Sequence, residues 1–103
     1  MSSHELTVEL SYTAIKQLED IYAFGIERWG ERQAISYQER ILRPIELLRL
    51  NPQLGRARDE MLDGVRSFLV ERHIVYYRVG ELDLLVMGIY RDRADLTKAF
   101  RPI

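Results

Sequence analysis

From Gly64 to Val79 the chain reads GVRSFLVERHIVYYRV, and this stretch decides the fold. Its β-branched, aromatic and aliphatic side chains predict two consecutive strands, from Val65 to Val70 and from Ile74 to Val79. A turn-rich segment, Asn51 to Glu60, leads into them. Because arginines recur along both strands, the predicted sheet presents a fixed cationic surface to a large partner.

The segments on either side of this stretch extend the predicted sheet. Gly80-Glu81 forms a short hairpin turn into a third strand from Leu82 to Tyr90. That strand is apolar on both faces after Asp83, which is typical of a central strand covered by helices on one side. Near the start of the chain, Leu6 to Leu10 alternates apolar and polar residues and predicts a half-buried strand.

Two helices are predicted between the first strand and the others. Ser11 or Thr13 offers an N-cap for the first helix, and Gly30 is placed to end it in a left-handed cap. The apolar residues of this helix recur three and four positions apart, and most of the stripe is expected to lie in the core. The stripe comprises Ile15, Leu18, Tyr22, Ile26 and Trp29, widened by Ile21 and Phe24.

The second helix follows at once, and so short a connection favours an antiparallel helical hairpin. Its apolar face comprises Ala34, Tyr37, Ile41, Ile45 and Leu48. Pro44 removes a backbone hydrogen bond at a cost of about 3 kcal/mol, so we expect a kink or a break between Arg40 and Pro44. The order β-α-α-β-β-β predicts an α+β fold in which the hairpin packs on a largely antiparallel sheet.

Length and composition predict one globular domain that spans residues 1–103. Hydrophobic residues make up 47% of the chain and charged residues 30%, which excludes the low hydrophobicity of a disordered chain. The absence of cysteine excludes a disulfide framework. Because His4 and His73 are the only imidazoles, no metal site is expected, and no cofactor motif is present.

Charge and hydropathy predict where in the cell the protein acts and which classes of partner it does not bind. No signal-peptide pattern and no apolar run of about 20 residues is present, so we expect a cytoplasmic protein with no membrane partner. The formal net charge is −1 and the pI is about 6.1, so direct sequence-specific binding of nucleic acid is not expected. Any basic surface must arise from folding, through the alternation of side chains along strands.

Several segments in a fixed order resemble the ParE branch of the RelE/ParE toxin superfamily, and the resemblance covers nearly the whole chain. They comprise Ala14, Leu18, Ile21 and Tyr22, the helix ending Glu27-Arg28-Trp29-Gly30, and the runs Pro52 to Arg56, Val65 to Phe68, Arg72 to Arg78 and Arg93 to Leu96. No one of these segments is specific by itself. Their order and spacing together carry the resemblance.

The resemblance implies a toxin of a type II toxin-antitoxin pair, neutralised in a hetero-oligomer by a ParD-like antitoxin. ParE-like toxins with an assigned target mostly inhibit DNA gyrase, and we expect this function here, without catalysis. The alternative is a ribosome-dependent messenger RNA endoribonuclease of the RelE type. Lysine occurs only at Lys16 and Lys98, so the lysine-rich surface of that branch is missing, whereas Tyr90 keeps the alternative open. A third alternative is a member that binds its antitoxin but has lost toxicity.

Arginines with an adjoining histidine and tyrosine form the candidate target-binding surface, since the arginine fork donates two parallel hydrogen bonds to phosphate or carboxylate. The set comprises Arg56, Arg58, Arg66, Arg72, His73, Tyr90, Arg91 and Arg93. A cluster is expected where the end of the sheet meets the tail, formed by Arg72, Tyr90, Arg91 and Arg93. For Arg66, an intramolecular contact within the sheet is the alternative.

His73 has an alternative role as a general acid or base with a pKa near neutrality. No second histidine or paired carboxylate lies at a spacing that would orient it, so no catalytic residue is assigned.

The helical hairpin is the candidate antitoxin-binding surface, because partners that fold on binding favour apolar grooves flanked by charge. The residues assigned to it are Ile21, Tyr22, Trp29, Tyr37 and Leu48.

Overall fold

The computed structural model describes residues 6–92 of the chain. Within this range the chain forms two α-helices, a 3₁₀ helix and five strands. In chain order these are β1 (Thr7–Leu10), α1 (Tyr12–Trp29), α2 (Glu31–Leu48), the 3₁₀ helix (Pro52–Leu54), β2 (Arg56–Ala57), β3 (Val65–Val70), β4 (His73–Val79) and β5 (Asp83–Arg91). Both predicted helices and all four predicted strands are confirmed.

The strands form one sheet in the order β1-β5-β4-β3-β2. β1 pairs with β5 in parallel, and the other neighbours are antiparallel. This arrangement confirms the α+β fold with a largely antiparallel sheet, and it places β5 inside the sheet between β1 and β4. β2 is not among the predicted strands, because its two residues are too few to show an alternating pattern.

The ends of α1 are defined by Ser11 and Gly30. The Ser11 side chain accepts a hydrogen bond from the Ala14 N–H at 3.0 Å and donates to the Met87 carbonyl at 2.8 Å, so the cap also fastens the helix to β5. Gly30 has a φ of 90° and a ψ of 165°, so it is extended with positive φ and is not the expected left-handed cap. It is needed there because a side chain is strained at that φ.

The helix α2 runs without interruption from Glu31 to Leu48, so the expectation of a break at Pro44 is wrong. The expectation of a kink stays a prediction. Buried residues lie on both sides of the proline, with Ile41 before it and Ile45 and Leu48 after it. Their burial against the sheet offsets the hydrogen bond that proline removes.

The core lies between the hairpin and one face of the sheet, and Tyr77 at its centre is fully buried. The Tyr77 hydroxyl donates to the Pro52 carbonyl at 2.7 Å and accepts from the Gly55 N–H at 2.8 Å. These bonds tie the segment after α2 to β4. A Cβ atom at position 55 would collide with the Tyr77 hydroxyl, so the close approach requires glycine.

The expectation that the apolar stripe of α1 lies mainly in the core is wrong. Ile15, Ile26 and Trp29 are exposed, and the buried residues of α1 are Ala14, Leu18 and Gly25. The physical reason is that close helix packing uses small side chains. A Cβ atom on Gly25 would lie only 3.1 Å from the Ala34 Cβ of α2. A pattern of large apolar residues therefore does not mark the buried face.

Candidate functional site

An open groove lies between the helical hairpin and one end of the sheet. On the helical side it is bordered by the connected ends of α1 and α2. On the sheet side it is bordered by the turn between β3 and β4 and by the last residue of β5. It is open to solvent and has a volume of about 1240 Å³. Both helices, the turn and β5 contribute to its lining. The lining residues are Asp20, Ile21, Phe24, Arg28, Trp29, Gln33, Tyr37, Arg40, Glu71, Arg72, His73 and Arg91.

Four rings follow one another across this groove, and we call them the aromatic row. Phe24 meets Trp29 edge-on at a centroid distance of 6.2 Å, and Trp29 meets Tyr37 at 6.0 Å. Tyr37 then contacts the imidazole of His73 at 5.8 Å. Trp29 is 52% exposed although it is the largest apolar side chain of the protein. An exposed aromatic surface of this kind marks an interaction site.

The rim of the groove is positively charged. The Arg28 guanidinium lies 4.9 Å from the Phe24 ring centroid, and that of Arg40 lies 5.5 Å from the Tyr37 ring centroid. Arg40 also pairs with Glu71 at 3.6 Å. With Arg72 and Arg91, four arginines face two carboxylates, from Asp20 and Glu71. The excess of two positive charges favours an acidic partner.

Tyr37 connects the hairpin to the turn between β3 and β4. Its oxygen accepts the Arg72 backbone N–H at 3.2 Å and lies 3.0 Å from His73 Nδ1. Nδ1 is the one acceptor among the described residues within reach of the Tyr37 hydroxyl hydrogen, so we assign His73 the neutral tautomer protonated at Nε2. Burial, and then the charge of Arg91, lower the pKa of His73 from its ordinary value of 6.5. The lowered pKa favours the neutral form of the ring.

The predicted target-binding residues do not lie on one surface. Arg72, His73 and Arg91 line the groove. Tyr90 lies on the opposite face of the sheet, where its ring contacts Tyr76 at 5.8 Å, because successive residues of a strand alternate between faces. The expected cluster of Arg72, Tyr90 and Arg91 is therefore not formed. Arg93, its fourth member, lies outside the described residues.

The remaining predicted target-binding residues lie at the other edge of the sheet, around β2 and β3. Arg66 donates to the Gly55 carbonyl and to Gln53 Oε1, both at 2.7 Å. Its side chain therefore makes the intramolecular contact that was the predicted alternative to target binding. Arg58 donates to Ser67 Oγ at 2.8 Å and pairs with Glu60 at 3.4 Å. Arg56 is exposed.

Three of the five predicted antitoxin-binding residues, Ile21, Trp29 and Tyr37, line the groove. Tyr22 is half-buried outside the lining, and its hydroxyl lies 3.5 Å from Glu31 Oε2. Leu48 is fully buried in the core, so its assignment to a groove is corrected. The reason is that Leu48 belongs to the end of α2 that packs on the sheet, and helical periodicity does not distinguish that end from the other.

Sequence reasoning did not assign Phe24, Arg28, Arg40 or Glu71 to a site, although all four line the groove. A signal was present for the helical residues. Arg28 follows Phe24 by four positions and Arg40 follows Tyr37 by three, and both spacings place a cation beside an aromatic ring on one helix face. Glu71 had no comparable signal. Its place in the groove follows from the strand pairing that positions its turn.

The described residues meet neither the requirements of a metal site nor those of a membrane-spanning helix. Residues 6–92 contain no group of three or more side chains of the types that bind metals. No helix in the same range is long and apolar enough to cross a membrane.

Comparison with known proteins gives consistent matches. A model of the family described as "ParE toxin of type II toxin-antitoxin system, parDE" matches residues 8–96. Toxin ParE1 of Mycobacterium tuberculosis (strain CDC 1551 / Oshkosh) is 35% identical over 99 residues, which cover 95% of this chain and 98% of that protein. Toxin ParE1 of Caulobacter vibrioides is 34% identical over 71 residues, or 69% of this chain and 74% of the relative.

A solved structure also resembles the fold. The match is a chain of the "Chromosomal ParDE TA system from P. aeruginosa", with a TM-score of 0.75 and 22% sequence identity. The alignment covers 86% of this chain and 98% of that one. At this identity the likeness supports the shared fold.

Proposed function

Because the chain belongs to the ParE toxin family of type II toxin-antitoxin systems, we propose that it inhibits DNA gyrase in the cytoplasm and that a ParD-type antitoxin neutralises it by binding in the groove. The proposed inhibition is by binding and involves no catalysed reaction. One observation carries the antitoxin part of the proposal, namely the exposure of Phe24 and Trp29 in the aromatic row beside an excess of arginines.

The groove suits an antitoxin segment for reasons of both shape and charge. Phe24 and Trp29 offer apolar surface that no described residue covers, with exposures of 43% and 52%. An antitoxin segment that folds on binding gains its affinity from such anchors, while the arginines of the rim pair with its carboxylates. Burial of the tryptophan contributes most of the binding free energy in this arrangement.

The opposite face of the sheet supports the proposal for the target. Tyr90 is 49% exposed there beside Tyr76, and Arg56 is exposed at the β2 edge. We assign these residues to the contact with gyrase. Because they lie away from the groove, the proposed neutralisation requires that the antitoxin segment held at Trp29 continues around the sheet and covers these residues as well.

A non-catalytic role is supported by the surroundings of the two candidate acid-base groups. His73 and Tyr90 lie on opposite faces of the sheet, so they do not act on the same bond. Among the described residues, His73 has Tyr37 as its hydrogen-bond partner and no carboxylate that orients it. An acid and a base that act on one bond must both lie within reach of the same reacting centre.

The test combines purified chain, gyrase and a relaxed plasmid, with supercoiling as the readout. We expect the chain to block supercoiling and a ParD-type antitoxin to restore it. The variant Tyr90→Ala is expected to lose inhibition while still binding antitoxin, and Trp29→Ala is expected to keep inhibition while escaping the antitoxin. Leu47→Ala is the matched control, because Leu47 is 54% exposed on α2 and does not line the groove.

A second assay separates the gyrase proposal from the ribonuclease alternative. Messenger RNA on purified ribosomes is incubated with the chain and examined for cleavage. Site-specific cleavage with unaffected gyrase would overturn the proposed target. Growth that continues on expression, with antitoxin binding intact, would instead indicate a member that has lost toxicity.

A further inference from the structure

The floor of the groove contains a histidine with one free ring nitrogen. His73 Nδ1 is bonded to the Tyr37 hydroxyl, and Nε2 has no hydrogen bond within the described residues. No buried side-chain nitrogen or oxygen atom of residues 6–92 lacks a hydrogen-bond partner, so Nε2 reaches the solvent of the groove. In the assigned tautomer Nε2 bears the ring hydrogen and is a free donor.

Charged or titratable side chains from every element around the groove line it together with this ring. They are Asp20 and Arg28 from α1, Tyr37 and Arg40 from α2, Glu71 and Arg72 from the turn, and Arg91 at the end of β5. Asp92 follows Arg91 outside the lining, and its backbone N–H donates to the Arg72 carbonyl. Arg40 is paired with Glu71. Arg72 and Arg91 have no ion pair with a described residue, and Arg91 lies directly opposite His73 in the ladder.

We infer that the antitoxin segment places a carboxylate between Arg72 and Arg91, over His73 Nε2, and that His73 takes up one proton as the segment binds. The inference rests on the proposed role of the groove. A carboxylate is the occupant that this position selects, because Arg72, Arg91 and His73 line the same groove and Arg91 lies opposite His73 in the ladder. Neither guanidinium group nor the Nε2 N–H has an acceptor among the described residues.

Proton uptake follows from the change in the surroundings of the ring. In the free protein burial and the charge of Arg91 lower the pKa of His73. A bound carboxylate neutralises the cationic charge beside the ring and accepts its Nε2 hydrogen, and both effects raise the pKa of His73. The protonated ring is then stabilised in the complex and disfavoured in the free chain.

Tyr37 accommodates both protonation states of the histidine. With a neutral ring, the hydroxyl of Tyr37 donates to Nδ1. With a protonated ring, Nδ1 donates instead, and the Tyr37 oxygen accepts from both Nδ1 and the Arg72 N–H. The change requires the rotation of one hydroxyl group, so the groove keeps its shape.

The consequence is an affinity that depends on pH. Where the complex holds one more proton than the separate proteins, the association constant rises by about tenfold for each unit by which pH falls. This window lies between the lowered pKa of His73 in the free chain and the raised pKa in the complex. Outside the window the contribution of His73 to affinity is constant.

The test uses the full chain. The probe is the ParD-type antitoxin whose co-expression restores growth to cells that express the chain. Calorimetric titration from about pH 8 to about pH 5.5, in two buffers of different ionisation enthalpy, measures both Kd and the number of protons bound. We expect tighter binding at lower pH with an uptake approaching one proton. His73→Asn keeps an acceptor near Nδ1 and does not titrate, so its complex is expected to form without this uptake.

The outcomes separate the inference from the proposed function. Binding with one Kd at every pH and no proton uptake would overturn the inference and leave the antitoxin role intact. Absence of binding by a folded chain at any pH would overturn the antitoxin role itself. Uptake that persists in His73→Asn would assign the proton to another group. If that variant does not fold, NMR titration of the His73 ring in the free and bound chain decides the same question.

Discussion

The two ends of the helical hairpin differ in what covers their apolar side chains. At the closed end, where α1 begins and α2 finishes, Leu18, Ile41 and Leu48 are buried against the sheet. At the open end, where the helices are connected, Phe24 and Trp29 are about half exposed. Both ends have the same apolar periodicity. Position over the sheet, and not hydrophobicity, therefore distinguishes residues that stabilise the fold from residues that remain for a partner.

The difference arises from where the strands end. The closed end lies over Val75, Tyr77 and Val86 in the middle of β4 and β5. The open end faces the turn at Glu71 and the last residue of β5, Arg91, which leaves a groove in place of a packed interface. Charged residues of the turn line this open groove, so no described apolar residue closes over Phe24 and Trp29.

The largest expected effect is on folding at the closed end. Ile41→Ala removes a fully buried side chain and is expected to lower the free energy of unfolding by about 2–5 kcal/mol. Ile35→Ala is the matched control on the same helix, because Ile35 is 42% exposed, and its cost is expected to stay within about 0.5 kcal/mol. Urea denaturation measures both. Equal losses would remove the distinction between buried and exposed positions on α2.

The next effect is on binding at the open end. Trp29→Ala is expected to weaken antitoxin binding by about 2 kcal/mol or more, roughly 30-fold in Kd, because the half-exposed indole is the proposed anchor for the antitoxin segment. The loss of folding stability is expected to be smaller than for Ile41→Ala, since the indole is half exposed. Calorimetry measures the change in antitoxin affinity, and thermal melts measure the change in folding stability. If the variant unfolds, Trp29 stabilises the fold as the buried residues of the closed end do, and its assignment to a binding surface is wrong.

A smaller effect is expected from the hydroxyl at the centre of the closed end. Tyr77→Phe leaves the Pro52 carbonyl and the Gly55 N–H without their partner, at an expected cost of about 1–3 kcal/mol. Tyr12→Phe, at a position that is 78% exposed, is the control and is expected to have no measurable effect. Antitoxin affinity is expected to be unchanged in both. A weakened affinity in Tyr77→Phe would show that the two ends are coupled.

The smallest effect is a pH dependence of folding that originates at the open end. The pKa of His73 is lowered in the folded chain, so below its ordinary value of 6.5 the unfolded chain binds more protons. The stabilising contribution of the neutral ring is complete above that value and decreases as pH falls through it. Urea denaturation at a series of pH values is expected to show this decrease in the unchanged chain. In His73→Asn the decrease is expected to be smaller.

Prediction from sequence succeeded where the signal is local. The strands β3, β4 and β5, the Ser11 cap and the buried face of α2 all follow from residue type and period over a few positions. The site was predicted less completely. Trp29 and Tyr37 were assigned to a binding surface from the apolar face of the hairpin, and Leu48 was assigned with them although it is buried. Period alone does not report how far along a helix the sheet extends.

The sequence by itself determined the elements, their order and the family, because side-chain spacing and turn residues are properties of neighbouring positions. Tertiary structure alone decided that Arg72 and Arg91 meet the aromatic row while Tyr90 faces the other way. It also decided that Glu71 lies beside Arg40, 31 positions away in sequence (71 minus 40). These outcomes depend on strand register and on the placement of the hairpin over the sheet, which bring together residues that no local pattern relates.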